Sequence, residues 1–280
     1  MKIMVTGAAG QLGSEIVELL SKKKNCICFA LDKNELDITD LQHVKDAMGR
    51  IHPDVVVNAA AYTQVDKAES EMQAAFCLNA RGAANLAAAA NAAGAKMCQI
   101  STDYVFDGTK REQYFEYDNT NPLGVYGRSK LAGEQLVRQV CPHSFIVRTA
   151  WLYGHKGSNF VKTMLRLGQE RQTINVVDDQ IGSPTFANDL AAFVCRLIES
   201  EAYGIYHGTN SGQCSWYEFA CAIFAEARLD VKVKPITTAE YPTPAKRPAY
   251  SVLGHEMLLA NGFDELRDWR EALKDYFAVK

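Results

Sequence analysis

The 280-residue sequence has no hydrophobic run of the length that a membrane-spanning helix requires. Its most apolar stretch, 83–95, is nearly all alanine with two asparagines, which is typical of a buried helix. The first residues show no signal-peptide pattern, so we expect no targeting segment. The eight cysteines form no C-x-x-C pair, and neither a disulfide framework nor a zinc site is predicted. We therefore expect a cytoplasmic protein with small core cysteines in a reducing compartment.

An excess of charge of one sign is also lacking. Thirty Lys and Arg residues stand against thirty-three Asp and Glu residues, which gives a net charge of −3. Such a chain has no general electrostatic attraction to nucleic acid or to an anionic membrane, and we expect neither as a partner. A small anionic ligand would need a local site of basic side chains or backbone amides. The length suits one large domain or two modest ones.

The first half of the chain alternates short apolar runs with helical patterns. The predicted strands lie at 3–5, 26–31, 55–57, 96–100 and 144–147. The predicted helices between them lie at 11–23, 41–50, 72–93 and 126–140. Continuous apolar strands that alternate with helices indicate a parallel sheet covered on both faces. We therefore predict the α/β class, a doubly wound, Rossmann-like fold.

The pattern loosens after about residue 150. Helices are predicted at 158–170, 188–200, 215–228 and 267–277, and a proline-rich loop or extended segment at 235–248. We predict that residues 1–150 form an NAD(P)-binding, Rossmann-like domain. Residues 151–280 are predicted to be mainly a smaller substrate-binding portion, with some segments that return to the core sheet.

A glycine loop directly follows the first strand and opens the first helix. Its residues are Gly7, Gly10, Gln11, Leu12 and Gly13, in the spacing G-x-x-G-x-x-G. Such glycines permit a tight turn and bring backbone amides close to a pyrophosphate. This spacing differs from the common G-x-G-x-x-G, and alone it is a weak signal.

Acidic residues after the second strand support a dinucleotide. Asp32 ends that strand, where a carboxylate can accept a hydrogen bond from a ribose hydroxyl, although a turn or capping role is the alternative. Lys33 could instead face a 2′-phosphate, so NADPH and NADH both remain open. Asp37 and Ile38 are predicted to pass beneath the adenine.

Tyr126 and Lys130 lie four residues apart at the start of a predicted helix, and so share one face. A neighbouring ammonium should lower the phenol pKa and make the tyrosine a usable acid–base, although a solvated surface pair is the alternative. Thr102 follows the fourth strand, at the strand end where this fold class binds ligands. Its hydroxyl could hydrogen-bond a carbonyl oxygen that is being reduced. The glycine loop, Thr102 and Y-x-x-x-K in this order form a specific pattern.

These motifs resemble the extended short-chain dehydrogenase/reductase superfamily and, more narrowly, the dTDP-4-dehydrorhamnose reductase family. The matching segments run from end to end, at 5–13, 35–40, 55–69, 101–108, 126–134, 148–154, 178–185 and 246–253. The resemblance implies reduction of the C4 keto group of dTDP-4-dehydro-6-deoxy-L-mannose to dTDP-L-rhamnose, with NADPH or NADH as cofactor.

The resemblance also implies roles for individual residues. Tyr126 would protonate the C4 oxygen. Lys130 would lower the pKa of the Tyr126 phenol and hold the nicotinamide ribose, and Thr102 would orient the carbonyl. The residues along the cofactor would be Gly7, Gly10, Gln11, Leu12, Gly13, Asp32, Asp37, Ile38, Ala61, Tyr62, Thr63, Tyr126 and Lys130. The residues around the substrate would be Val65, Thr102, Asp103, Trp151, Gln180, Ser183 and Arg247. Asn79 would hold the active-site strands through hydrogen bonds.

Two departures limit what the resemblance implies. Some family members form a dimer bridged by Mg²⁺ through glutamates; here Glu15 is present, but Asn188 stands where a second glutamate would be. We therefore predict no metal, and a monomer or homodimer. Tyr250 stands where many relatives have a small amide residue, so sugar selectivity stays open.

Other functions of the superfamily are less favoured. A dehydratase needs an acid and a base after the catalytic threonine, but Thr102 and Asp103 are followed by Tyr104, which leaves the base missing. An epimerase recycles its oxidised cofactor and is commonly longer. A non-catalytic regulatory subunit should have lost part of the Thr/Tyr/Lys set, which is intact. Reduction of another nucleotide-linked 4-keto sugar remains a closer alternative.

Overall fold

The structure is a computed structural model, and it describes residues 1–278. The strands are β1 Lys2–Thr6, β2 Ile27–Leu31, β3 Val55–Asn58, β4 Lys96–Thr102, β5 Ser144–Thr149, β6 Leu152–Tyr153, β7 Thr173–Val177, β8 Ile181–Gly182, β9 Thr185–Phe186, β10 Gly204–His207, β11 Asn210–Ser211, β12 Cys214–Ser215, β13 Lys232–Ile236 and β14 Leu266–Asp268. The helices are α1 Gln11–Ser21, α2 Leu41–Ile51, α3 Val65–Ala68, α4 Met72–Phe76, α5 Ala83–Ala92, α6 Val125–Val140, α7 Phe160–Glu170, α8 Ala187–Leu197, α9 Trp216–Ala227, α10 Glu256–Ala260 and α11 Trp269–Ala278.

Six parallel strands form the central sheet, in the order β10-β5-β4-β3-β1-β2. Val55, Val56 and Val57 of β3 are fully buried because helices cover both faces of the sheet. Alternate strand residues point to opposite faces, so Val55 and Val57 pack toward α1 and α8, while Val56 packs toward α2, α5 and α6. The predicted doubly wound α/β fold is confirmed.

The predicted helix 72–93 is interrupted. Its middle third, Cys77–Gly82, is a π-helix between α4 and α5. Single π turns widen a helix locally and occur often at functional sites. The turn contains Asn79, a buried side chain whose hydrogen bonds reach toward the strand ends. The periodicity of apolar residues gave no sign of this interruption.

The C-terminal part combines small sheets with helices. Its strands form the two-stranded pairs β6-β9, β7-β13, β8-β12 and β11-β14. An aromatic core holds them together, with Tyr153, Phe186, Phe219 and Trp269 buried in one cluster. The segment 204–207 leaves this part and joins the central sheet as edge strand β10, beside β5. Among residues 1–278, no helix is long and apolar enough to cross a membrane.

Candidate active site

A cleft of about 1120 Å³ opens at the carboxyl ends of the central strands. Gly7, Asp32, Ala59, Thr102 and Ala150 follow or end the strands β1 to β5, and all five line it. Open α/β sheets bind ligands at this edge because loops on either side leave a crevice there. The volume slightly exceeds that of ordinary small-molecule pockets, so two ligands can lie in it together.

The glycine loop forms one end of the cleft. Gly7 has φ +66°, and a Cβ atom there would lie 2.6 Å from the backbone nitrogen of Ala60, so only glycine fits. Gly10, Gln11 and Leu12 line the cleft at the start of α1. The Gly10 nitrogen donates to the carbonyl oxygen of Gly7 at 2.9 Å, and the amides of the first helical turn that follow it favour an anion. Gly13 does not line the cleft; it packs beneath the loop against the carbonyl of Gly7.

The Gln11 side chain joins this loop to the segment that follows β6. Its Nε2 donates to the carbonyl oxygen of Leu152 at 2.9 Å, and its Oε1 accepts from Nδ2 of Asn159 at 2.8 Å. Between these two partners, Gly157 and Ser158 line the cleft opposite the glycine loop. The side-chain amide of Gln11 therefore holds the glycine loop next to the segment 152–159.

The acidic residues after β2 and the loop to α2 also reach the cleft. Asp32, Lys33, Asp37 and Ile38 all line it. One carboxylate oxygen of Asp32 accepts from the backbone nitrogen of Asn34 at 2.7 Å, so Asp32 also stabilises a turn. The two alternatives for Asp32, a ligand contact and a turn contact, are thus compatible in one residue.

Thr102, Tyr126 and Lys130 meet in the middle of the cleft. Thr102 ends β4, and the other two lie on the first turns of α6. Nζ of Lys130 donates to the carbonyl oxygen of Ile100 at 2.6 Å, which fixes the ammonium against β4. Burial lowers the pKa of Lys130 to about 8, and the charge of Glu134 opposes that shift.

The expected effect of Lys130 on the tyrosine is not what the structure shows. Burial raises the pKa of Tyr126 to about 12, a hydrogen bond with Thr102 lowers it, and the charge of Asp103 raises it. The prediction of a lowered phenol pKa is therefore wrong for the protein without ligands. The loss of water around a phenolate outweighs the hydrogen bond with Thr102, and Lys130 is not among the groups that shift this pKa. The phenol consequently keeps its proton at neutral pH.

The loop after β3 is held by Asn79. Its Oδ1 accepts from the backbone nitrogen of Tyr62 at 2.8 Å, and its Nδ2 donates to Oγ of Ser129 on α6 at 2.9 Å. Ala61, Thr63 and Val65 consequently line the cleft. The side chain of Tyr62 does not; its hydroxyl donates to Glu71 at 2.6 Å, away from the cleft. Any contact of Tyr62 with a cofactor would use its backbone.

Two stacked indoles, Trp151 and Trp216, also line the cleft. Trp151 lies in the left-handed region at φ +47° and stacks on Trp216, with ring centroids 3.5 Å apart and an angle of 6° between the rings. Such a backbone conformation is strained for a bulky residue and persists only where its surroundings enforce it. A Cβ on Gly182 would lie 2.5 Å from the Trp151 ring, so a glycine leaves room for it.

Asp103 is a buried carboxyl in the same wall as Thr102. Its Oδ1 accepts from the hydroxyl of Thr102 at 3.0 Å, while its Oδ2 has no partner within residues 1–278. Burial raises the pKa of Asp103 to about 6. Asp103 lines the cleft, and its Oδ2 is itself a buried atom.

Three predicted substrate residues lie outside the cleft wall, because protein groups already bind their polar atoms. Nε2 of Gln180 donates to the hydroxyl of Thr238 at 2.9 Å, and Ser183 donates to the carbonyl of Gly212 at 2.7 Å. The guanidinium of Arg247 pairs with Asp66 at 2.8 Å. The structure therefore does not place Gln180, Ser183 and Arg247 in the cleft lining with Thr102, Tyr126 and Lys130.

The sequence motifs missed several residues that do line the cleft. Tyr104, Ser158 and Trp216 are the main ones. Trp216 begins α9 after Ser215, which forms a capping box with Glu218. That capping signal predicts where the helix starts, but not which cavity the tryptophan reaches.

Glu15 and Asn188, the two residues considered as metal ligands, are in direct contact with each other. Nδ2 of Asn188 donates to the carboxylate of Glu15 at 3.2 Å, so an amide stands where a second acidic ligand would be needed. Within the described part of the chain, no group of three or more His, Cys, Asp or Glu side chains could hold a metal ion.

Comparison with known proteins gives matches along the whole chain. The family model described as the RmlD substrate binding domain matches residues 1–280. Spore coat polysaccharide biosynthesis protein SpsK of Bacillus subtilis strain 168 is 47% identical, over 98% of this chain and 96% of that protein. A dTDP-4-dehydrorhamnose reductase of Aggregatibacter actinomycetemcomitans is 44% identical, over 98% of this chain and 97% of that enzyme.

A solved structure matches equally well. The crystal structure of dTDP-4-dehydrorhamnose reductase from Bacillus anthracis in complex with NADP is 47% identical, with a TM-score of 0.96 over 100% of this chain and 99% of that chain. The resemblance drawn from the sequence motifs is confirmed. With an end-to-end family match and relatives at 44% and 47% identity, the chain belongs to the RmlD substrate binding domain family.

Proposed function

We propose that this protein is a dTDP-4-dehydrorhamnose reductase, an NAD(P)H-dependent oxidoreductase. It reduces the C4 keto group of dTDP-4-dehydro-6-deoxy-L-mannose to give dTDP-L-rhamnose. The observation that carries the proposal is the meeting of Thr102, Tyr126 and Lys130 in a cleft that begins at the glycine loop. Relatives that bear the name of this enzyme, one of them solved with NADP, support it.

The residues present fit a dinucleotide. Only a glycine fits at position 7, and the start of α1 offers the amides of Gln11 and Leu12, next to Gly10, to a pyrophosphate. Asp32 and Lys33 would face the adenosine ribose, Asp37 and Ile38 the adenine, and the segment Ala61–Thr63 the middle of the cofactor. NADPH or NADH, when bound, supplies the hydride for C4. Since a carboxylate and an ammonium adjoin at positions 32 and 33, we propose that both cofactors are used.

Tyr126 donates the proton that the reduced oxygen needs. Its raised pKa keeps the phenol protonated at neutral pH, which is the form required in the direction of reduction. The single hydroxyl proton of Thr102, which Asp103 accepts in the structure, would turn to the C4 oxygen and orient the carbonyl. When Tyr126 has given up its proton, the Lys130 ammonium and Thr102 stabilise the phenolate until solvent returns the proton.

The sugar occupies the side of the cleft formed by Val65, Asp103, Trp151 and Trp216. The Asp103 carboxyl accepts a hydrogen bond from a sugar hydroxyl, and the indole of Trp151 packs on the apolar part of the ring. Residues 1–150 thus provide the cofactor half and residues 151–280 mainly the substrate half, although β10 belongs to the central sheet.

A spectrophotometric assay tests the proposal. The purified protein is mixed with NADPH, or NADH, and the keto sugar is made in place with the upstream dehydratase and 3,5-epimerase. We expect cofactor oxidation that requires the epimerase and gives dTDP-L-rhamnose. Oxidation without the epimerase would identify a reductase of a different 4-keto sugar. Folded protein that binds NADPH but oxidises none would favour a regulatory subunit.

We further propose a cytoplasmic location and a monomeric or homodimeric state. All eight cysteines are free thiols, which suits a reducing compartment. Light scattering with and without EDTA checks the state; a dimer lost on metal removal would contradict the absence of a bridging metal.

A further inference from the structure

A buried ion pair lies directly behind the catalytic residues. Glu134 on α6 and Arg148 on β5 have side chains that are only 2% and 3% exposed. The guanidinium holds the carboxylate with two nitrogens: Nη2 lies 2.8 Å from Oε2, and Nε lies 3.0 Å from Oε1. Such a two-point contact fixes orientation as well as distance. The cleft itself does not include either residue among its lining.

The Glu134 carboxylate connects the elements that carry the catalytic side chains. It accepts a hydrogen bond from the hydroxyl of Ser101, the residue before Thr102 on β4. It lies one helical turn after Lys130 on α6. Arg148 pairs with Ser101 in the β4–β5 register, as Thr149 pairs with Thr102. One carboxylate thus joins α6 to the strand end that presents Thr102.

We propose that Glu134 is a positioning residue of the reductase: it sets Lys130 and Tyr126 against Thr102 and supplies a negative charge beside the Lys130 ammonium. This inference rests on the proposed function. The geometry supports both parts, because the same carboxylate is bound to β4 and stands at i+4 from the lysine, where side chains of one helix face meet.

The electrostatic part is specific to Glu134. Lys130 lines the cleft together with Asp103, Tyr104 and Tyr126, and Glu134, which is paired with Arg148 of β5, follows it by one helical turn on α6. Within the described residues, burial lowers the pKa of Lys130 and Glu134 is the one charge that opposes the shift. Without that carboxylate, the ammonium should lose its proton at a lower pH.

Glu134→Gln tests the inference, since the amide keeps the shape and can still accept from Ser101 while it removes the charge. We expect kcat to fall about 10- to 100-fold at pH 8, because a small displacement of the reacting groups lowers the rate by about this factor. The alkaline limb of the kcat profile should move down by about one pH unit, so that the loss is smaller at pH 6.5 than at pH 8. The KM for the sugar should change little, because Glu134 does not line the cleft.

Glu134→Gln leaves Arg148 buried without its counter-charge, which could prevent folding. The double variant Glu134→Leu/Arg148→Met removes the whole pair, a replacement that is often neutral for stability. We expect it to be folded by circular dichroism and to show the same lowered kcat and shifted alkaline limb. Glu116→Gln is the matched control: it removes another buried carboxylate, which binds the backbone nitrogen of His207, and should leave the pH profile unchanged.

The outcomes separate the two proposals. A folded double variant with wild-type kcat and pH profile would show that the pair is only structural and would overturn the role of Glu134. A uniform loss at every pH, with no movement of the alkaline limb, would overturn the electrostatic part. Absence of turnover by the wild-type protein would instead overturn the proposed function.

Discussion

The two walls of the cleft are built in different ways. The first wall consists of residues at strand ends in the N-terminal half, such as Gly7, Asp32 and Thr102, and each belongs to a short motif. The second wall consists of Trp151 and Trp216, which come from separate segments and are held by stacking. Local backbone geometry determines the positions of the residues in the first wall, and tertiary packing determines those in the second. Substitutions in the first wall should therefore act on chemistry and cofactor, and those in the second on the sugar.

The largest effect is expected for Tyr126→Phe. Loss of the proton donor should lower kcat by about 10²- to 10⁴-fold, while NADPH affinity stays nearly unchanged. Steady-state kinetics and a fluorescence titration with NADPH measure the two quantities. Tyr104→Phe is the control, because this neighbour lies edge-to-face at 5.5 Å and should lose far less. A kcat within a few-fold of wild type would remove Tyr126 from the role of acid.

Gly7→Ala tests whether backbone shape alone controls the first wall. A Cβ at this position would lie under 3 Å from backbone atoms of Ala59 and Ala60. We expect NADPH affinity to fall more than about 10-fold and the melting temperature to drop. Gly49→Ala on α2 is the matched control, with no atom within 4 Å of the added carbon, and should leave binding unchanged. Equal NADPH affinity in both variants would contradict this account.

Trp216→Ala should act on the sugar through the second wall. Trp151 would lose its stacking partner, and an aromatic contact of this kind corresponds to a roughly 3- to 10-fold rise in the KM for the sugar. NADPH affinity should not change. Trp216→Phe, which keeps an aromatic face, should recover part of the loss. If the NADPH affinity weakened as much as the sugar KM, the two walls would not be functionally separate.

The smallest effect concerns cofactor choice within the first wall. Asp32→Ala should raise the KM for NADH about threefold more than that for NADPH, because the lost carboxylate accepts from the 2′-hydroxyl. Lys33→Ala should do the reverse. Equal changes for both cofactors in both variants would leave Asp32 with its turn contact to Asn34 alone.

The contrast between the walls also explains what the sequence could predict. The apolar run Val55–Val57 and the alternation of apolar runs with helical patterns predict a parallel sheet. Thr102 at a strand end and Tyr126 in the Y-x-x-x-K motif indicate the chemistry without knowledge of the tertiary structure. The position of strand β10 in the central sheet could not be predicted, because the short run Gly204–His207 is placed there only by its pairing with β5.

Residues of the second wall escaped prediction for the same reason. Trp216 reaches the cleft because Trp151 turns into the left-handed region and stacks on it, and no local pattern encodes that contact. Gln180 and Ser183 stand in a family motif and bind Thr238 and Gly212, and their contact with the substrate stays a prediction. The rise in the pKa of Tyr126 was hidden likewise, because the Tyr–Lys spacing says nothing about burial.

Gly182 limits where the Trp151 ring of the second wall can lie. It does not line the cleft, yet a Cβ there would lie 2.5 Å from the Trp151 indole. A single added methyl group would displace the ring and, with it, the surface that the sugar meets. We therefore expect Gly182→Ala to alter the contact of the sugar with Trp151 from a position outside the cleft lining.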